Sequence, residues 1–126
     1  MAEATRSPAS APEYAKHREG PITAVDTLPE ANIAHGMNMR GFLRANIQVN
    51  PSGGANPSVS VLFWNQELGQ FVQANPALTF AGVGADTPFE IGVDVNSRII
   101  FVAVTTLAAG QVDSIFVAGS ELDHLK

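Results

Sequence analysis

The stretch that decides the fold is Phe89–Leu122, FEIGVDVNSRIIFVAVTTLAAGQVDSIFVAGSEL. In its first segment, residues 89–95, apolar side chains alternate strictly with Glu90, Gly92 and Asp94. Alternation with a period of two is typical of a strand that is buried on one face only. The segment therefore predicts a strand whose apolar face points toward a core.

The remainder of this stretch predicts two more strands and the turns between them. Residues 99–104, IIFVAV, are apolar at every position, as expected of a strand covered on both faces, and residues 111–117 alternate again. Asn96-Ser97 and Ala109-Gly110 supply turn residues. We predict a three-stranded meander, the smallest sheet that is stable with one buried face.

The preceding residues add the other strands of an all-β domain, residues 37–126. The alternation across Met39–Val49 predicts one long strand, Ser58–Asn65 a second, and Gln70–Gln73 and Ala77–Phe80 two short ones. Turn signals recur about every 8–12 residues without a long helical pattern, which indicates a sandwich or small barrel. We predict an antiparallel β-sandwich, jelly-roll-like or alternatively immunoglobulin-like.

Residues 1–36 predict an extended N-terminal arm. Four prolines interrupt any helical pattern, and only Pro12–Glu19 has room for a helical turn or two. Two arrangements are open: the arm reaches another subunit, or it wraps on its own domain. We expect that a chain without residues 1–35 still folds.

Charge and composition bear on the kinds of partner. The net charge is −5, and residues 45–126 carry the whole acidic excess, with Arg98 and Lys126 as their only basic residues. Such a body repels a phosphate backbone, so we expect no nucleic-acid partner. We expect no membrane partner, since no run of 18 apolar residues is present. The chain lacks cysteine, which excludes disulfides and thiolate ligands.

The sequence predicts no enzyme, no cofactor and no metal. His17, His35 and His124 do not have the spacing of a metal site or of a nucleophile and its base. Asp94–Arg98 begins like a calcium loop but lacks the later glycine and glutamate. Glu90 and Asp94 lie ~13 Å apart along a strand, beyond the separation of paired catalytic carboxylates.

The single Trp64 is interpreted first as a core or interface residue, because a lone tryptophan in a small sandwich usually packs. As an alternative it is a platform on which a sugar stacks. The second interpretation belongs to a carbohydrate-binding or receptor-binding β-module of a virion appendage, either a head fibre or a tail.

The closing hairpin, RIIFVAVTTL followed by AAGQVDSIFVAGSEL, resembles the end of small virion proteins of tailed bacteriophages. The chain is most similar to capsid decoration, or cement, proteins. The resemblance implies a structural protein on the capsid exterior, assembled in the host cytoplasm. Its implied partners are the major capsid protein and further copies of itself, as a homodimer or homotrimer. It carries no catalytic residue over to this chain.

Seven residues are candidates for the partner interface. Five are apolar or aromatic side chains scattered along the arm, and two are cations on the polar face of the Met39–Val49 strand: Tyr14, Ile22, Val25, Leu28, Ile33, Arg40 and Arg44. For the two arginines, solvated cations and ion pairs with an acidic partner are both open interpretations.

Overall fold

The computed structural model describes the backbone of residues 14–122. This part of the chain forms nine strands and one turn of 3₁₀ helix, Ile33–His35. The strands are β1 Tyr14–Ile22, β2 Met37–Asn38, β3 Phe42–Ser52, β4 Ser58–Asn65, β5 Gln70–Gln73, β6 Thr79–Phe80, β7 Phe89–Asp94, β8 Ile99–Thr106 and β9 Gln111–Leu122. None of the described residues belongs to a helix long and apolar enough to cross a membrane.

Two antiparallel sheets confirm the prediction of an all-β sandwich. The first sheet has the order β1-β9-β3-β7. The second has the order β2-β8-β4-β5, and β6 also pairs with β4. The core between the sheets consists mainly of branched aliphatic side chains, among them Ile47, Val61, Val102 and Ile115, all completely buried.

The prediction that residues 89–122 form one meander is wrong. β7 and β9 belong to the first sheet and β8 to the second, so each turn crosses from one sheet to the other. In the turn after β7, Asn96 and Ser97 have φ of 50° and 60°, and their amides donate to Leu43 O and Phe42 O of β3 at 3.0 and 2.7 Å. Alternation fixes which face is apolar, but these loop contacts decide which strand becomes the neighbour.

The apolar character of β8 on both faces is confirmed, and it has a specific cause. Val102 and Val104 face the core, while Phe101 and Ala103 face the opposite side of the second sheet. There they form a second apolar cluster with Leu62 and Phe71. The middle of the second sheet is therefore buried on both sides.

The cover over this cluster is the segment of residues 23–36, which we call the strap. Leu28 packs on the cluster, and Glu30 O accepts a hydrogen bond from Phe71 N at 2.7 Å. Gly36 passes close to the cluster, because a Cβ there would lie 2.5 Å from Phe71 Cζ. The strap thus forms a third layer on the sandwich.

Residues 14–36 lie against their own domain, which is the second of the two arrangements left open by the sequence. The helical turn for which Pro12–Glu19 has room does not form in its described residues, because Tyr14–Ile22 pairs with β9. Deleting residues 1–35 would remove β1 and nearly all of the strap, and so would uncover Phe71. Residues 1–13 lie outside the described part, and the domain boundary at residue 36 stays a prediction.

The long strand predicted from Met39 begins at Phe42 instead. Phe42 N donates to Met39 O at 3.0 Å, and Gly41 has φ of 91°, so residues 39–42 form a turn. A left-handed residue cannot continue a strand, and glycine adopts this conformation without steric cost. Arg40 consequently sits in the turn, separate from Arg44 on β3.

The first sheet ends at β7. Its residues Glu90, Gly92 and Asp94 are exposed, whereas Val93 is buried in the core. Arg44 on β3 pairs with Asp94 across the strands. The predicted alternation of this segment is confirmed, with its polar side facing outward.

Phe71 provides a test of the second apolar cluster. Phe71→Ala should lower the free energy of unfolding by about 3–5 kcal/mol, because it empties a completely buried site. Leu68→Ala is the control, since Leu68 is 61% exposed in the adjacent turn; its effect should stay within about 0.5 kcal/mol. Urea unfolding followed by circular dichroism measures both. Equal stabilities of the two variants would contradict the third layer.

Candidate functional site

The five arm residues predicted at a partner interface have different environments. Ile22 is buried in the core, and Leu28 packs on the second apolar cluster. Val25 and Ile33 are 50% and 42% exposed. Tyr14 is described through its backbone, which pairs with Ala118. Of the predicted arm residues whose side chains are described, Val25 and Ile33 therefore present large apolar area to solvent.

The two predicted arginines are also separated by the fold. Arg40 is exposed in its turn. Arg44 forms an ion pair with Asp94 of its own chain, and its place at a partner interface stays a prediction. For Arg40, a solvated cation and an ion pair with an acidic partner both stay open as interpretations.

The structure brings together a different set of residues through an irregularity in β1. Lys16 pairs with Phe116 and Arg18 with Ile115, so His17 is an extra residue in the ladder. Such a bulge places neighbouring side chains on the same side of a strand. His17 and Arg18 accordingly both reach across to β8 in the second sheet.

At β8, His17, Arg18 and Asp26 form a group that we call the latch. His17 Nε2 accepts a hydrogen bond from Val102 N at 3.0 Å, and Arg18 Nη1 donates to Val102 O at 2.9 Å. Asp26 Oδ2 accepts from Val104 N at 2.7 Å, and Asp26 N donates to Val104 O at 2.9 Å.

The latch makes the hydrogen bonds that a neighbouring strand would otherwise make to this part of β8. β2 pairs with β8 only at Ile99 and Ile100, and β4 lies along the other edge. The backbone groups of Val102 and Val104 would otherwise be left at an open edge, and both residues are completely buried. Buried backbone groups without a partner are costly, so the latch stabilises this edge.

Charge and aromatic contacts strengthen the latch. Arg18 holds Asp26 by two hydrogen bonds of 2.9 and 3.0 Å, and the two side chains are 17% and 18% exposed. The guanidinium also lies 4.8 Å from the ring centre of Phe101, within cation–π range. The His17 ring meets Phe101 edge-on at 5.6 Å. The geometry joins β1, the strap and β8 at one point.

Burial, together with the neighbouring Arg18 guanidinium and against the opposing pull of Asp26, lowers the pKa of His17 from 6.5 to about 4. Above that pH the imidazole is neutral in the folded protein. Since Nε2 accepts from Val102 N, the proton lies on Nδ1. His17 therefore acts as a neutral hydrogen-bond acceptor in the latch.

A cleft of about 570 Å³ lies beside the latch, lined by Lys16, Glu19, Glu30 and His35 as well as by the latch itself. His35 Nδ1 lies 2.7 Å from Glu30 Oε2, and the hydrogen bond from His35 is the main cause that lowers the pKa of Glu30. Both histidines thus have partners within the chain. Across residues 14–122, no group of three or more His, Asp or Glu side chains is arranged to hold a metal ion.

Sequence reasoning missed the latch. His17 and Arg18 are adjacent, and in a regular strand adjacent side chains point to opposite faces. Asp26 belongs to no periodic pattern. The nearest signal in the sequence was that residues 99–106 contain no charged side chain. A charged group that binds the backbone of this strand must therefore come from another part of the chain.

The latch ion pair provides a second test. Asp26→Ala should lower the free energy of unfolding by about 2–3 kcal/mol, because it leaves Arg18 without its counter-charge and Val104 N without an acceptor. Asp94→Ala removes the exposed pair with Arg44 and should cost no more than about 1 kcal/mol. Thermal unfolding of both variants measures the difference. A loss for Asp26→Ala no larger than for Asp94→Ala would contradict the structural role of the latch.

Comparison with known proteins gave no match. No protein-family model, no curated protein and no solved structure matches this chain. The resemblance of residues 98–122 to small virion proteins of tailed phages therefore stays a prediction.

Proposed function

We propose that the sandwich is a jelly roll. Its support is the nested pairing of β1 with β9, β2 with β8, β3 with β7 and β4 with β5. In a long two-stranded antiparallel ribbon that rolls up, the first strand pairs with the last and the inner strands pair in turn, as they do here. The contacts of β9 with β3 and of β8 with β4 then close the two sheets. Two Greek keys combined in this way define the jelly roll.

We propose further that the protein is a structural, non-enzymatic virion protein. In this role it binds the major capsid protein on the outer surface of a phage head as a homodimer or homotrimer, and stabilises the capsid by bridging its subunits. The observation that carries the proposal is the nested strand order, since jelly rolls are frequent among viral capsid proteins. The link from this strand order to a virion role is an analogy at the level of the fold. The low proportion of charged residues, 15%, is in keeping with a surface that other chains cover.

The proposed contact surface is the outer side of the strap. Val25 and Ile33 expose apolar area there, and Arg40 adds an exposed cation after β2. A decoration protein needs contact area more than reactive groups, and many copies on one lattice add up weak contacts. The strap offers that area on a segment held in place by the latch.

Jelly rolls also occur in lectins, so the carbohydrate-binding module remains the second candidate. Trp64 is half-buried, packs edge-on against Phe71 at 4.9 Å, and its indole N–H donates to Gln66 Oε1 at 2.9 Å. These contacts favour a packing role for Trp64 over a sugar platform. The virion proposal is therefore preferred.

Binding to phage heads tests the proposal. Undecorated heads of the phage that encodes this chain are incubated with the protein and sedimented. The wild type should co-sediment, and the double variant Val25→Asp, Ile33→Asp should bind at least about tenfold more weakly, since two charges would enter an apolar contact.

Leu68→Asp is the matched control, because it adds a charge at an exposed leucine on a different loop. It should bind as the wild type does. Equal binding by all three proteins would show that the outer side of the strap is not part of the interface. A wild type that binds no heads but binds an immobilised glycan, with loss in Trp64→Ala, would replace the virion proposal by the lectin.

A further inference from the structure

The latch joins the strap to the edge of β8 through polar and ionisable groups, which respond to acid, whereas an apolar core does not. Between the sheets, the buried core is made of apolar residues. At the latch, by contrast, a histidine nitrogen accepts the hydrogen bond of Val102 N. A protonated imidazole has two donors and no acceptor. Protonation of His17 would therefore turn the attraction at Val102 N into a donor–donor contact.

Protonation would also place a second positive charge in the latch. The Arg18 guanidinium already lies there, and it is committed to Asp26 and to Val102 O. A cation at His17 would compete for Asp26, which also accepts from Val104 N. One proton thus disturbs the bonds to both β8 residues that the latch covers.

From this geometry we infer that the latch is an acid-sensitive release. Protonation of His17 frees β1 and the strap from the edge of β8, while the two-sheet core stays folded. The device is independent of the proposed virion role, because it rests only on contacts within one chain.

The surrounding charges are consistent with His17 as the sensor. Arg18 of β1 and Asp26 of the strap face it directly, and Lys16, Glu19, Glu30 and His35 line the adjacent cleft. A proton on His35 would strengthen its contact with Glu30, so acid does not open that contact through His35. β8 contributes only Phe101 to this lining.

The direction of the pH dependence follows from the lowered pKa of His17. The latched state has a pKa of about 4, and the released state has the ordinary 6.5, so the released state binds more protons between these values. Latching is therefore fully favoured above pH 6.5, weakens as the pH falls, and changes no further through His17 below about 4. The latching equilibrium should fall by about 300-fold across this window.

Release would uncover the apolar cluster and an unpaired strand edge. Leu62, Phe71 and Phe101 would lose the cover of the strap. The chain contains one tryptophan, Trp64, and it contacts Phe71 in that cluster. Its fluorescence therefore reports on the strap without any added label.

The experiment follows the full chain from pH 8 to pH 3.5. Hydrogen exchange read by mass spectrometry should show that peptides of the strap lose protection between pH 6.5 and 4, after correction for the pH dependence of intrinsic exchange. The backbone of β1 pairs with β9, so β1, β3 and β4 should remain protected. The Trp64 emission should shift over the same range. Loss of β3 and β4 together with the strap would overturn the proposal.

His17→Gln identifies the sensor. Its amide oxygen can accept from Val102 N but does not titrate in this range, so the transition should move below pH 4 or disappear. His35→Gln is the matched control and should leave the transition in place. An unchanged transition in His17→Gln would overturn the proposal.

If His17→Gln does not fold, titration of His17 by NMR in the wild type tests the proposal instead. A His17 pKa near 4, with the Val102 amide resonance shifting in parallel, supports the release. A His17 pKa near 6.5 with an unchanged Val102 amide would overturn it.

Discussion

The edge of β8 is the constraint on which much of this structure depends. β8 lies in the middle of the second sheet, yet β2 covers only two of its residues, Ile99 and Ile100. Val102 and Val104 need other partners, because their backbones lie at a buried edge. The bulge at His17, the path of the strap and the ion pair between Arg18 and Asp26 all serve that need. The third layer over Phe71 is held by the same contacts.

Side-chain periodicity was enough to predict the class of fold and much of its core. The apolar residues of β7 are half-buried or buried, and the apolar run of β8 is buried from Ile100 to Val104, as the pattern indicates. Periodicity could not predict strand partners, because an alternating strand fits equally well beside any other. Residues 89–122 show the limit: their loops carry successive strands between two sheets, through backbone contacts such as Ser97 N to Phe42 O that leave no trace in composition.

The N-terminal segment was the least predictable part, for a related physical reason. β1 contains Gly20 and Pro21, has no sustained alternation, and is a strand only because β9 supplies its hydrogen bonds. Tertiary context decides such a segment. Among the predicted partner residues, Ile22 and Leu28 have the apolar character of an interface, but their partners are the chain's own two clusters. An intramolecular contact and a contact between subunits require the same residue types.

The exposed carboxylates of β7 limit how copies of this protein can associate. If two first sheets joined edge to edge, antiparallel about Gly92, Glu90 of each copy would face Asp94 of the other. Like charges directly opposite across a strand pair are destabilising. Charged side chains on an edge strand protect natural sheets from unwanted pairing. These carboxylates therefore disfavour the pairing of two first sheets through β7 in this register.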